Sequence, residues 1–134
     1  MTKTEVTQLS YEIVACAIKV HKTLGPGLLE SVYEKCLKFE LEKKGFDVKN
    51  QFTIEVKYES LTISTALRVD LLVNDIIVIE LKTVDKLLPV HEAQLLTYMK
   101  LLEKPQGLLI NFFTDNITKS LKPLVNKVFK DLKD

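Results

Sequence analysis

The first half of the chain shows two hydrophobic periodicities in succession. Apolar residues recur at helical spacing from Leu9 to Leu24, and every second residue is apolar from Phe52 to Tyr58, as in a half-buried strand. Gly25-Pro26-Gly27 ends the first helix, Gly45 ends a second one, and Glu59-Ser60 turns the first strand into another. The predicted helices cover Leu9–Leu24 and Leu28–Lys44, and the predicted strands cover Phe46–Tyr58 and Leu61–Val73.

The second half continues with alternating strands and helices. Asn74-Asp75 is a turn signal, and a run rich in β-branched residues follows it. Pro89 suits the first turn of a helix, and the run GLLINFF is too short and too apolar for a surface helix. The predicted strands are Ile76–Thr83 and Gly107–Phe113, and the predicted helices are Pro89–Leu102 and Lys122–Leu132. The order ααβββαβα predicts an α/β (α+β) fold, a mixed central sheet flanked by helices.

Length and charge narrow the class of protein. The 134 residues fit one domain, residues 1–134, that can bury a core without disulfides. The formal net charge is +1, so a polyanion would have to meet local positive charge. Arg68 is the only arginine. The lysines of the C-terminal segment could contact phosphates, but the nearby acids favour a solvated helix face.

The cysteines and the N-terminus indicate a cytoplasmic protein. Cys16 and Cys36 have no metal-ligand spacing and are interpreted as small buried hydrophobes in a reducing compartment. The first residues contain no long apolar run and carry Glu5 and Glu12, so neither a secretion signal nor a membrane span is predicted.

The stretch VDLLVNDIIVIELKT places three ionisable groups among branched aliphatic residues. If Val73 pairs with Ile77, Leu71 faces Ile79 and Val69 faces Leu81, so that one face is wholly aliphatic. The opposite face then sets Asp70 against Glu80, Leu72 against Val78, and Arg68 against Lys82. A two-residue loop would mix charge into both faces, and we therefore predict the first register.

In this register two carboxylates lie side by side. Their Cβ atoms would be about 4.5 to 5.5 Å apart, and such a pair repels unless a proton or a cation lies between the acids. Lys82 points the same way, two residues beyond Glu80. The cluster can hold Mg²⁺ near a phosphate, or it can be a set of solvated salt bridges in which Lys82 and Arg68 neutralise the acids. The inner-strand composition of Ile76–Leu81 disfavours the salt bridges.

The spacing of Asp70 and Glu80-Leu81-Lys82 resembles the D…ExK core of the PD-(D/E)xK nuclease superfamily. GLLESVY, with Gly27, Glu30 and Tyr33, resembles the signature of the GxxExxY proteins, a bacterial branch of that superfamily. HEAQLLTYMK and GLLINF are similar to that family's downstream half. The resemblance covers about 13–113, and Val69 stands where the superfamily's name-giving proline would be.

The resemblance implies a metal site at the edge of the sheet. Asp70, Glu80 and Glu30 would be the metal-binding acids and Lys82 the catalytic lysine. Gln94 and Tyr98 match the QxxxY pair that some branches place near the substrate phosphate. Substrate-binding roles are also expected for Arg68, the sole arginine, which could clamp a phosphate, and for Tyr33, which shares a helix face with Glu30.

Several of these residues also have plainer explanations. Glu30 can interact with a helix dipole, and Gln94 with Tyr98 can form a buried hydrogen-bonded pair. Arg68 can orient Asp70 through a salt bridge rather than clamp a phosphate. His91 is interpreted as a helix-start or surface histidine, and His21 is given no role.

The predicted function is a nuclease that uses Mg²⁺ (or Mn²⁺) to hydrolyse phosphodiester bonds of DNA (or RNA). The predicted partner is nucleic acid, with a homodimer or a protein partner left open. Two alternatives stand beside it: a non-catalytic nucleic-acid-binding or regulatory module with the same fold, and a purely structural cluster that binds no metal.

Overall fold

The computed structural model describes the backbone of residues 1–134 and every side chain except those of residues 65 and 66. Most predicted elements are confirmed, with shifts of a few residues at their ends. The helices are α1 (Lys3–Leu24), α2 (Glu30–Lys43), α3 (Pro89–Leu102) and α4 (Lys127–Lys130). The strands are β1 (Val48–Tyr58), β2 (Leu61–Val73), β3 (Ile77–Lys82), β4 (Gln106–Asn111) and β5 (Leu121–Val125), and a short 3₁₀ helix covers Ile117–Lys119.

Local chemistry explains where the long helices begin and end. The hydroxyl of Thr2 accepts a hydrogen bond from the amide of Glu5, so that α1 begins six residues before the predicted start. Gly25 and Gly45 follow α1 and α2 with positive φ angles, which glycine adopts without steric cost. In α3, Pro89 occupies the first turn, where its missing N–H is not needed.

The five strands form one mixed sheet in the order β1-β2-β3-β4-β5. Only β3 and β4 run parallel, and the other neighbours are antiparallel. The predicted hairpin register is confirmed from Val73–Ile77 to Leu71–Ile79. Asn74 and Asp75 form its turn with positive φ angles, which Asn and Asp tolerate better than most residues.

The predicted helix over Lys122–Leu132 is wrong. Its first part is the edge strand β5, which pairs antiparallel with β4, and only Lys127–Lys130 are helical. Pro123 lies within β5 opposite Leu108, a position open to proline because β5 has no neighbour on its other side. The actual order therefore has one strand more than predicted.

Two apolar clusters lie on opposite faces of the sheet and make the fold a three-layer arrangement. One cluster joins α1 and α2 to the sheet through residues such as Ile13, Leu37 and Leu108. The other joins α3 to the opposite face through Leu95 and Met99. The sheet is therefore the middle layer, and β3 and β4 are buried on both sides.

The alternation of β1 and β2 changes phase at one point, and this overturns the predicted aliphatic face. Val69 packs in the α3 cluster although Leu71, two residues later, packs in the α1–α2 cluster. In β1 the same change separates Val48 from Ile54. Between them, Gln51 has a left-handed φ of 51°. We call this left-handed position the Gln51 kink, and the change of face in both strands occurs beside it.

The two cysteines are free; Cys16 is buried and Cys36 is half-buried. No helix in the described part of the chain is both long and apolar enough to cross a membrane.

Candidate metal and nucleic-acid site

Asp70 of β2 and Glu80 of β3 lie in contact where the two strands stop pairing through their backbones. The amide N–H of Asp70 donates to Oε1 of Glu80 (3.1 Å), and the amide N–H of Leu81 donates to Oδ2 of Asp70 (2.7 Å). The backbone register of the hairpin extends to Leu71–Ile79. Beyond it, side-chain carboxylates accept the hydrogen bonds that strand carbonyls would otherwise accept.

Each carboxylate uses one oxygen in these bonds and has a second oxygen for another donor or a cation. Glu80 is 7 % exposed and Asp70 is half-buried. Burial, followed by the charge of Asp70, raises the pKa of Glu80 to about 8. Burial also raises the pKa of Asp70, against the lowering effect of the Leu81 N–H and of Lys82. Without a cation, the pair therefore holds a proton at neutral pH.

The two basic residues beside the pair do not neutralise it by direct contact. Among the ion pairs of the described residues, none joins Lys82 or Arg68 to Asp70 or Glu80. Lys82 is half-buried at the end of β3 and lowers the pKa of both acids through its charge. Arg68 is exposed and pairs with Thr53 of β1. The backbone pairs of β2 with β3 end at Leu71–Ile79, so they do not test the predicted position of Arg68 opposite Lys82. The alternative interpretation, solvated salt bridges from Lys82 and Arg68 to the two acids, is therefore not supported among the described residues.

A further acid of α2 lies closer to this network than the predicted Glu30. Glu30 is exposed at the first position of α2, and its charge reaches Glu80 only weakly. Glu34, one turn later, accepts a hydrogen bond from the side-chain amide Nε2 of Gln51 (2.6 Å). Burial raises the pKa of Glu34, the Gln51 amide opposes this shift, and the charge of Asp70 adds to it. Gln51 also lowers the pKa of Asp70, so its side chain lies between the two acids.

Sequence reasoning missed Glu34 and Gln51. The signal for Glu34 was its spacing of four residues from Glu30, which places both acids on one helix face. The left-handed backbone of Gln51 has no counterpart in the alternation of Phe52, Ile54 and the apolar residues after them.

Gln94 and Tyr98, the two α3 residues predicted to contact substrate, lie on the helix that covers the face of the sheet opposite α1 and α2. Tyr98 is 8 % exposed; burial, followed by the charge of Glu80, raises its pKa, and the Gln94 side chain opposes the shift. Gln94 itself is exposed. His91 accepts a hydrogen bond at Nδ1 from the amide of Leu88 (3.0 Å), which is the helix-start role that was predicted for it.

Tyr33 and His21 serve the core and its loops. Tyr33 has no exposed surface; its hydroxyl donates to the Gly25 carbonyl (2.5 Å), and its ring stacks on Phe112 at 4.4 Å between centroids. A side chain without exposed surface offers no contact to a substrate in this conformation. The buried His21 lies 2.7 Å from the Thr114 carbonyl through Nε2.

The donor chemistry of the carboxylate pair fits a hard divalent cation. Mg²⁺ prefers oxygen ligands, and it commonly takes one or two carboxylates together with water and substrate phosphate. A dication would replace the proton that the raised pKa of Glu80 retains and would lower the pKa of both acids. Among the described residues there is no group of three or more His, Cys, Asp or Glu side chains close enough to hold a metal. Asp70 and Glu80 would therefore be the protein ligands, with the remaining positions left to water and substrate.

Comparison with known proteins identifies the class. A sequence profile of the PD-(D/E)XK nuclease superfamily matches residues 7–124, so the chain belongs to this superfamily. The chain is also similar to the crystal structure of SSO0001, with 19 % identity and a TM-score of 0.57. The similarity covers 96 % of this chain and 65 % of SSO0001, so the chain spans about two thirds of that protein's length, and at this identity the likeness concerns the fold. No curated protein matches the chain.

Proposed function

We propose that the chain is a Mg²⁺-dependent (or Mn²⁺-dependent) nuclease that hydrolyses phosphodiester bonds of DNA or RNA as a single domain, residues 1–134. The observation that carries the proposal is the carboxylate pair of Asp70 and Glu80. Glu80 accepts from the Asp70 N–H and Asp70 accepts from the Leu81 N–H, Glu80 is buried, and no ion pair among the described residues neutralises either acid. Lys82 lies beside the pair. The superfamily membership supports the same chemistry. The spacing of Gly27, Glu30 and Tyr33 supports a place in the bacterial GxxExxY branch.

The chain's own residues would divide the work by position. Asp70 and Glu80 would hold the divalent cation, which supplies Lewis-acid chemistry and lowers the pKa of water when it is bound. Lys82, half-buried at the end of β3, would stabilise negative charge that develops on the phosphate. Glu30 would support the cation from the start of α2, and Arg68, Gln94 and Tyr98 would contact the strand around the site.

A cleavage assay tests the proposal. Linear and nicked duplex DNA, single-stranded DNA and RNA are incubated with Mg²⁺ or Mn²⁺. The variants Glu80→Ala and Lys82→Ala are expected to lose about 10²- to 10³-fold in rate, as for the loss of one preorganised electrostatic group. Glu92→Ala is the matched control. Glu92 lies on α3, forms an ion pair with Lys122 of β5 and is not part of the carboxylate pair. Metal-dependent cleavage that survives unchanged in both site variants would remove Glu80 and Lys82 from the mechanism.

A second candidate is a binding or regulatory module that keeps the metal site without turnover. Two observations favour it: a net charge of only +1, and no acid group of three or more among the described residues. Calorimetry with Mn²⁺ distinguishes the two candidates. Binding that depends on Glu80, together with no cleavage of any substrate in the panel, would favour the module over the nuclease.

A further inference from the structure

A cleft opens at the carboxyl ends of the parallel strands β3 and β4. It has a volume of about 440 Å³ and is lined by Gly27, Leu28, Thr83, Val84, Asp85 and Phe113. The last residues of the two strands, Lys82 and Asn111, are neighbours in the sheet. In open α/β sheets, ligands bind in crevices outside the carboxyl ends of the strands. The cleft therefore lies where this architecture places ligands.

Two of the three loops that line the cleft, those after β3 and β4, are fixed to each other by one buried amide. The side chain of Asn111 is 2 % exposed. Its Oδ1 accepts hydrogen bonds from the amides of Val84 (3.1 Å) and Phe113 (3.2 Å), and its Nδ2 donates to the Val84 carbonyl (2.7 Å). The amide of Phe112 also donates to the Lys82 carbonyl (2.9 Å). The walls are therefore preorganised, which reduces the entropy that a ligand must overcome.

Phe113 presents an aromatic ring on this rigid loop. The residue is 45 % exposed, although Phe112 beside it is fully buried. A second, smaller cleft of about 210 Å³ is lined by Phe113 together with Pro26, Thr114 and Asp115, so the ring separates two open spaces. An exposed aromatic ring beside an open space is the platform on which single-stranded nucleic-acid binders stack bases.

The charge of the cleft selects a base rather than a phosphate. Asp85 is exposed and contributes a carboxylate, and Thr83 contributes a hydroxyl. A carboxylate repels a phosphate but accepts hydrogen bonds from N–H groups of a base. Guanine presents two adjacent N–H donors on its pairing edge and so fits the two oxygens of one carboxylate.

The cleft is also close enough to the acids to take a nucleotide of the same strand. Thr83 follows Lys82 directly in the chain, with about 3.8 Å between consecutive Cα atoms, and Leu28 precedes Glu30 by two residues. These steps are comparable to the spacing of neighbouring nucleotides.

We infer that this cleft binds an unpaired nucleobase of the substrate strand, with Phe113 as the stacking surface and Asp85 as the acceptor of base N–H groups, guanine foremost. The inference rests on the proposed nuclease function and adds a preference for single-stranded or locally unpaired substrate. A base that remains paired in a duplex cannot offer its pairing edge to Asp85 or its face to Phe113.

Strand binding without metal tests the inference. Fluorescence anisotropy in EDTA measures the affinity for a labelled thymine oligonucleotide with one central guanine, and for the same strand with an abasic position there. The arms use DNA and RNA versions and the matching duplex. Phe113→Ala and Phe113→Leu are expected to weaken binding of the guanine strand about 5- to 100-fold, since stacking on one aromatic ring has this effect on affinity. Phe113→Tyr should retain the wild-type affinity.

The matched control is Phe39→Ala, because Phe39 of α2 is 60 % exposed and lines a different surface. It should bind as wild type, and circular dichroism melts should show all variants folded. Asp85→Asn should reduce the preference for guanine over the abasic position, even if the lost negative charge strengthens binding overall. Equal binding by Phe113→Ala and Phe39→Ala, or an unchanged guanine preference in Asp85→Asn, would overturn the inference.

The outcomes separate the cleft from the catalytic proposal. Loss of cleavage in Glu80→Ala together with unaltered strand binding in Phe113→Ala overturns the base cleft and leaves the nuclease. Guanine-selective binding that depends on Phe113, with no metal-dependent cleavage, supports the cleft and overturns the nuclease.

Discussion

The two edges of strand β3 differ in a way that explains the site. On one side, β3 pairs with β4 along its whole length, from Ile77–Gln106 to Lys82–Asn111. On the other side, its backbone pairing with β2 covers Val73–Ile77 to Leu71–Ile79, and beyond that Asp70 and Glu80 accept the backbone N–H groups. One edge of β3 is therefore fully paired with another strand, and the other edge carries the two carboxylates.

The difference shows how a buried sheet can present side-chain oxygens to a ligand. A complete ladder satisfies every backbone group with another backbone group, so it offers nothing to a ligand. At the other edge of β3, which we call the broken edge, the carboxylates of Asp70 and Glu80 accept the backbone N–H groups. Each carboxylate has a second oxygen that these bonds do not use. The Gln51 kink in β1 lies beside the break and changes the phase of both hairpin strands. The predictions below test this contrast, from the largest expected effect to the smallest.

The edge of β3 that pairs with β4 along its whole length, which we call the complete edge, should contribute most to the free energy of unfolding. Leu108 of β4 is fully buried in the cluster with α1 and α2, so Leu108→Ala is expected to lower the free energy of unfolding by about 2 to 5 kcal/mol. Urea denaturation measures this change. The same substitution at Leu61, which is 57 % exposed at the start of β2, should change the free energy by less than about 0.5 kcal/mol. Similar losses at both positions would contradict the contrast.

The broken edge should destabilise the metal-free protein as the pH rises. The pKa of Glu80 is about 8 in the folded chain, against an ordinary value of 4.5. The contribution of this group to stability is therefore fully present below pH 4.5 and is lost as the pH rises to about 8. Glu80→Gln has no such titration, so its free energy of unfolding should exceed that of the wild type by about 2 to 4 kcal/mol at the upper end of this range. This figure is the difference of about 3.5 between a pKa of about 8 and one of 4.5, converted to free energy and reduced for relaxation of the fold.

Denaturation across this pH range in EDTA measures the effect. Mg²⁺ should raise the midpoint of the wild type and leave that of Glu80→Gln nearly unchanged. Parallel pH profiles for the two proteins would show that Glu80 ionises normally in the fold.

Packing against the complete edge should tolerate little added volume. A Cβ at Gly107 of β4 would lie 2.7 Å from Sδ of Met99 and 2.9 Å from Cγ of Leu95. Gly107→Ala is therefore expected to cost about 1 to 3 kcal/mol, with the flexible methionine reducing the cost. Adding Leu95→Ala should cost less in this background than alone, because the two changes offset each other in volume. Additive losses would argue against the clash.

The Gln51 kink should matter through its backbone more than through its side chain. Gln51→Gly relieves a left-handed conformation and loses the hydrogen bond to Glu34, so the free energy of unfolding should change by less than about 1 kcal/mol. Gln51→Val should cost more, because β-branched residues adopt positive φ poorly. Thermal melts compare the two variants, and equal effects would mean that the kink does not depend on this residue.

Much of the fold could be predicted because pattern and burial agree. The bounds of β2 and α3 are as predicted, and the register of Leu71 with Ile79 follows from separating aliphatic from charged positions. Strand β5 could not be predicted, because Lys122 and Pro123 carry no strand signal and the pairing depends on the exposed edge of β4.

The site was predicted in part for a related reason. The contact between Asp70 and Glu80 follows from the register. The face of Val69 and the link through Gln51 do not follow from the register, because both depend on a left-handed residue whose type does not indicate that conformation. Tertiary structure selected this backbone against local preference.

The central claim is that the broken edge of β3 holds a divalent cation between two carboxylates. The most direct measurement is an anomalous difference map from crystals soaked with Mn²⁺. The account predicts a peak in contact with carboxylate oxygens of both Asp70 and Glu80, and no such peak in Glu80→Gln crystals. A map without a peak at this pair, in crystals that bind Mn²⁺ elsewhere, would contradict it.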